Sequence, residues 1–120
     1  MNWLFLGALG GALAVIAGAF GAHALAARLE PRELQLWETA ARYLMYGSLA
    51  LVAVGLARLH GLLRGTDAAG WCLLLGSAVF SGTVFGLALG GPRLLGAVTP
   101  IGGTLMVVGF LLFAWAALKP

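Results

Sequence analysis

Four apolar runs dominate the chain and leave it few ways to fold. They cover residues 3–25, 43–59, 70–89 and 100–118. A helix rises ~1.5 Å per residue, so a hydrocarbon layer of ~30 Å is crossed by about 17–25 apolar residues. All four runs qualify, the second and fourth near the short end with helical or apolar flanks to lengthen them. A closed barrel would instead need polar and apolar side chains to alternate, and Leu49-Ala50-Leu51-Val52-Ala53-Val54 does not alternate. The expected fold is therefore an all-α membrane protein: four transmembrane helices in an antiparallel bundle, one domain over residues 1–120, with both termini on the same side.

The surface that such a chain can offer water is small. Only 9% of its residues are charged, where soluble domains carry roughly 25%. The seven basic residues are Arg28, Arg32, Arg42, Arg58, Arg64, Arg93 and Lys119. They form no run and no aromatic-interleaved stripe that follows a phosphate backbone, so nucleic acid is not an expected partner. Membrane lipids are, with scattered Arg side chains anchoring to headgroups. Cys72 is the sole cysteine. It closes no internal disulfide, belongs to no CxxC pattern, and is expected to act as a small buried hydrophobe.

The ends of the first run matter. Ala22-His23-Ala24 has the look of a signal-peptidase site, but no Lys or Arg precedes the run, which exceeds the ~7–15 residues of a signal-peptide core. A retained helix is expected. Beyond it, residues 28–38 are strongly polar. Pro31 suits a first helical turn, and Glu33, Glu38 and Arg42 alternate with Leu34, Trp37 and Ala41 at helical spacing. This predicts a short amphipathic interfacial stretch running into the second span, with Glu38 four residues before Arg42 in the favourable order for an ion pair. Residues 60–69 form a polar turn. Gly90-Gly91-Pro92-Arg93 breaks the chain before the fourth run, where Thr99 is expected as N-cap and Pro100 as first helical residue. Trp3, Trp71 and Trp115 fall at one interface, and Trp37 and Tyr43 at the other. Three basic residues (Arg58, Arg64, Lys119) face four (Arg28, Arg32, Arg42, Arg93), which sets no orientation.

Small residues recur every fourth position in two spans: Gly10, Ala14, Gly18 and Ala22, then Ala78, Gly82, Gly86 and Gly90. Such rows let helix backbones approach closely in lipid, so Gly82 and Gly86 in particular are expected at a close helix contact.

Gly18-Ala19-Phe20-Gly21-Ala22-His23-Ala24-Leu25, Thr39-Ala40-Ala41-Arg42-Tyr43, Phe80-Ser81-Gly82-Thr83 and Val98-Thr99-Pro100-Ile101-Gly102-Gly103 together carry a pattern. On these stretches the chain resembles the domain-of-unknown-function family 423, the YgdD/YwdK-type small membrane proteins, related to transmembrane protein 256. The resemblance spans nearly the whole chain and implies a four-span protein of the bacterial inner membrane. It implies no activity. Where the family reads Tyr-Gln-x-x-His, this chain has Tyr43-Leu44-Met45-Tyr46-Gly47, so a Gln and a His are missing and a two-histidine metal or proton relay loses support.

The polar residues near the second interface each admit two readings. His23 is either a proton-accepting or ligand-binding group or a helix-tying hydrogen-bond donor. Arg42 either binds an anionic group or pairs with Glu38 and snorkels. Ser81, Thr83 and Thr99 either line a polar pocket or bond to neighbouring carbonyls. His23, Glu38, Thr39, Arg42, Tyr43, Ser81 and Thr99 make up the expected polar cluster, with His23 within hydrogen-bonding distance of Glu38, Thr39, Arg42 or Tyr43. No Ser/His/Asp set, HExxH or phosphate-cradling loop is present, and His23 has no second ligand nearby, so neither enzyme chemistry, a cofactor nor a metal is expected. The expected function is non-enzymatic, through helix packing, lipid or a membrane partner. The alternative is a homo-oligomeric carrier or channel with its polar path near His23 and Arg42.

Overall fold

A computed structural model describes residues 1–62 and 64–119. It has four long helices: α1 (Trp3–Phe20), α2 (Pro31–Leu59), α3 (Thr66–Ala88) and α4 (Leu94–Leu118). The last turn after α1, Gly21–Leu25, is π-helical. Counting that turn with α1, all four are long and apolar enough to cross a membrane.

The helix starts follow from local chemistry. The Asn2 side chain accepts from the Phe5 backbone N–H at 3.0 Å, capping α1. The Glu30 backbone N–H donates to the Glu33 side chain at 3.1 Å, closing the helix start around Pro31, and α2 then runs unbroken for 29 residues. The amphipathic stretch and the second span are thus one helix. Gly65 precedes α3 with φ +77 and Gly90 ends the α3 region with φ +87, both conformations that suit glycine.

The fourth span departs from expectation. Thr99 and Pro100 do not open it. The helix begins at Leu94 and carries Pro100 inside. Thr99 is an interior residue whose hydroxyl donates to the Leu95 carbonyl at 2.8 Å. In an apolar medium an extended stretch over residues 94–98 would leave its backbone groups bare, so helix wins there even with one proline in its path.

Successive helices run antiparallel and pack in pairs: α1 on α2, α2 on α3, α3 on α4. Among the described residues, α1 and α4 make no substantial contact. The bundle is therefore an open series, and its thinnest dimension, 19 Å, is about two helix diameters. The inward positions of α1 are Trp3, Gly7, Gly10, Ala14, Ala17 and Gly21, spaced alternately four and three. Gly7 and Gly10 lie against Ser48, and Gly21 against Trp37. On α4 the same spacing gives Gly102, Met106, Gly109, Phe113 and Ala116, with Gly102 on Phe80, Met106 on Gly76 and Gly109 on Leu73.

This spacing corrects the four-residue rows. Four residues advance a helix by about 400°, so each step drifts ~40° around the axis. Gly10 meets Ser48 and Ala14 is buried, but a side chain at Gly18 would meet nothing within 4 Å, and Ala22 is exposed. On α3, Gly82 faces open space, Gly90 sits in a turn, and Gly86 lies against only the Leu95 side chain. The tight α3 contacts are Gly70 under the Trp3 indole and Gly76 at the Met106 backbone.

A core of Trp3, Ala50, Leu51, Val54 and Leu73 closes the end of the bundle near the termini. Trp3 is only 1% exposed. It is not a lipid-facing belt residue, unlike Trp71 and Trp115, which are exposed at that end. The Trp3 and Trp71 rings meet edge to face at 5.4 Å. Cys72 is half-buried rather than buried.

Replacing Gly102 by Leu drives its Cβ into the Phe80 backbone, whose Cα would lie 2.8 Å away. The expected loss is about 1–3 kcal/mol or more. Gly82→Leu is expected to match or slightly exceed the parent, since Gly is the poorer helix former and nothing obstructs the new side chain. Thermal unfolding in detergent compares the two; equal losses would refute the seam as assigned.

Candidate functional site

Residue types alone lead one to expect the polar side chains to converge where α1 hands over to α2. The structure distributes them instead, and Trp37 shows why. Its indole N–H donates to the Ala17 carbonyl at 2.7 Å, and its ring lies over Gly21, where an added Cβ would come within 2.5 Å of Trp37 Cδ1. Phe85 meets the same ring at 4.5 Å and Phe20 flanks it at 6.3 Å. The space between the end of α1 and the start of α2 is thus filled by an indole. His23, two residues past Gly21 in the π turn, is carried round to the outside.

His23 is exposed and has no hydrogen bond to Glu38, Thr39, Arg42 or Tyr43 among the described residues. The expected tie is not made. Nor do Glu38 and Arg42 pair: the ion pair found among the described residues is Arg58–Asp67. Arg42, Tyr43 and Tyr46 lie exposed on the outer face of α2. There Tyr43 packs against Tyr46 at 5.1 Å and against Phe80 at 4.7 Å. Thr39 is half-buried on the same helix.

The hydroxyls are turned inward and occupied. Ser81 is buried and donates to the Ala40 carbonyl at 2.8 Å, linking α3 to α2. Ser77 donates back to the Leu73 carbonyl at 2.7 Å. Thr83 and Thr99 meet at 2.6 Å between α3 and α4. Thr83 also lies 3.0 Å from the Phe80 carbonyl and Thr99 2.8 Å from that of Leu95, so with one proton each the two hydroxyls make two of these three bonds at a time. Ser81, Thr83 and Thr99 therefore serve seams between helices, and among the described residues they do not gather around one hollow. Among the described residues no buried polar side-chain atom lacks a partner, and no cluster of His, Cys, Asp and Glu is suited to a metal ion.

At the termini end, Asp67 accepts from the Trp3 indole at 3.0 Å and from the Arg58 guanidinium. One carboxylate thus ties together the starts of α1 and α3 and the end of α2. The sequence hid this residue in an ordinary polar turn. Its signal was one acid at a helix N-terminus, where the helix dipole favours it, with an Arg at the facing helix end.

The hollows are modest. A groove of about 370 Å³ is lined by Leu13, Ile16, Phe20, Leu25, Trp37 and Leu89 and is almost wholly apolar. One of about 440 Å³ at the other end is formed by Met1, Asn2, Trp3, Leu4, Gly55, Arg58 and Leu59. Neither gathers His23 with Arg42.

An all-helical chain with four apolar spans, inward hydroxyls joining neighbouring helices and aliphatic outer faces is a multi-pass membrane protein. It belongs to the DUF423 family, described as "protein of unknown function", whose model matches residues 17–103. It is similar to the UPF0382 membrane protein of Staphylococcus epidermidis, 43% identical over 98% of this chain and 95% of the relative. It is also similar to the UPF0382 membrane protein YwdK of Bacillus subtilis, 37% identical over 98% of this chain and 96% of the relative. A UPF0382 membrane protein of the fission yeast Schizosaccharomyces pombe is 45% identical, over 86% of this chain and 90% of that one. No solved structure matches the chain.

Trp37 separates packing from hydrogen bonding in a direct way. Trp37→Phe keeps a ring on Gly21 but strips the Ala17 carbonyl of its indole donor, and is expected to cost about 1 kcal/mol. Trp37→Ala opens a cavity and is expected to cost about 3–5 kcal/mol. Unfolding in mild detergent reads both, and equal effects would mean the ring contributes no packing.

Proposed function

We propose that the protein is a non-enzymatic membrane component: a single four-span domain that acts through lipid contact and helix packing. The observation that carries this reading is the separation of its polar groups. Ser81, Thr83 and Thr99 are engaged in the seams between helices, while His23 and Arg42 stand outside. A path for solutes needs such groups to line one continuous wet passage. A carrier or channel built from one copy has no such lining among the described residues, and catalysis has no assembled nucleophile, base or metal set.

The apolar exterior supports the lipid half of the proposal. Phe5, Leu9, Leu13, Ile16 and Phe20 are exposed along α1, and Ile101, Val107, Phe110 and Leu111 along α4. Aliphatic and aromatic faces of this kind are stable against acyl chains and costly against water. The protein resides in the inner membrane, a reading supported by spans that are helical where outer-membrane proteins are barrels. It has both termini on one side, supported by the antiparallel order of four spans. Nucleic acid is no part of it.

Two measurements test it. Proteoliposomes holding the purified protein are expected to pass protons and small anions no faster than empty vesicles. A flux that Arg42→Gln abolishes would replace this reading with the carrier. Reporter fusions after Lys119 and at Gly65 are expected to agree with each other and oppose one at Pro31; disagreement would remove a span from the membrane.

A further inference from the structure

The outer face of α2 differs from the lipid-facing surfaces of α1 and α4. Ser81 bonds the Ala40 carbonyl, and Gly47 lies against Ser77, where an added Cβ would sit 2.5 Å from the Ser77 Cβ. Arg42 is therefore held between the levels of Ser77 and Ser81. Ala88, the last residue of α3, lies seven residues beyond Ser81, about 10 Å at ~1.5 Å per residue. The Arg42 backbone is thus well inside the hydrocarbon, and Tyr46, one turn deeper, stands near the middle of the span.

Both side chains are exposed, Tyr46 to 46%. Among the described residues neither makes a hydrogen bond or ion pair. Glu38 lies one turn above Arg42 on the same face and is also exposed and unpaired. A phenol and a guanidinium pointing at acyl chains are left unsatisfied, and polar groups at that depth act as glue between helices. The face also carries its own complement: an acid and a base four residues apart. A two-fold axis along the membrane normal keeps every residue at its own depth, so the long Arg42 side chain of each copy reaches diagonally to the other's Glu38 one turn above. The other's Tyr46, leaning toward its helix N-terminus, brings its phenol up from one turn below. Such self-complementarity is what an isologous interface requires. The exposed positions Gln35, Arg42, Leu49 and Leu56 recur every seven residues, and Tyr46 and Ala53 fall between them, giving a continuous seam for a second α2.

We propose that this face of α2 is the interface of a homodimer, in which Arg42 of each copy is satisfied by Glu38 and Tyr46 of the other. This rests on the membrane placement above and not on the absence of transport. A phospholipid headgroup is the competing occupant of Arg42, but it does not reach the Tyr46 hydroxyl a turn deeper.

Cysteine cross-linking in native membranes tests it, in a Cys72→Ser background. Leu49→Cys and Ala53→Cys on α2 are compared with Leu13→Cys on α1 and Val107→Cys on α4, all at exposed positions. Covalent dimers are expected from the α2 positions at several times the yield of the other two. Arg42→Glu is expected to cut the α2 yield at least fivefold, and Glu38→Arg with Arg42→Glu together to restore it. Equal yields from all four positions, or a yield indifferent to Arg42→Glu, would overturn the proposal. So would native mass spectrometry showing a monomer whose bound anionic phospholipid is lost with Arg42→Gln. Solute flux through vesicles would defeat the functional reading alone, because cross-linking reads association and not transport.

Discussion

Lipid gives two helices no hydrophobic reason to touch, and that constraint shapes the whole molecule. What remains is close van der Waals contact and hydrogen bonding, both of which need backbones near one another. The chain meets this with glycine and serine at the crossings. Gly47 faces Ser77, Gly7 and Gly10 face Ser48, Gly55 faces Leu4, and Gly76 and Gly102 bring α3 and α4 together. Once backbones are this close, a serine or threonine on one helix reaches the next. Ser81 bonds α2, and Thr83 meets Thr99 of α4. Contact and hydrogen bond are thus consequences of one choice of small side chains.

The same constraint explains where large aromatics go. Trp3 and Trp37 are each laid over a glycine of another helix, Gly70 and Gly21 respectively, with the indole N–H delivered to an acceptor. Each closes one end of the bundle. Trp3 does so with the Asp67–Arg58 pair, and Trp37 with the carbonyl of Ala17 just ahead of the π turn. An indole whose N–H is satisfied fills space without exposing a polar atom to the apolar interior. The middle of the bundle is held by small residues and the ends by rings.

Much of this is legible in the sequence because burial in lipid, the strongest influence on the fold, is written in run length. The four spans, the interfacial start of α2 and the family resemblance all follow from it or from local motifs. The contacts between spans are not legible. The four-residue rows have the form of seams, yet Gly18 and Gly82 face open space, because helix contact follows a three–four spacing and a strict four drifts around the axis. His23 has the chemistry of a partner for Glu38 or Arg42, but the π turn and the Trp37 ring decide its direction, and neither is visible in residue types. Pro100 has the marks of a helix start for sound soluble-protein reasons; lipid removes the alternative of a solvated extended strand ahead of it.

The central claim is that backbone proximity at small residues holds the spans together, and the Gly47–Ser77 crossing tests it most directly. Gly47→Ala places a methyl 2.5 Å from the Ser77 Cβ, and Ser77→Gly removes that carbon. A double-mutant cycle of unfolding free energies in detergent is expected to show Gly47→Ala clearly destabilising alone and largely relieved by Ser77→Gly. The expected coupling is ~1 kcal/mol or more, as for residues in contact. Strictly additive effects of the two substitutions would contradict the account.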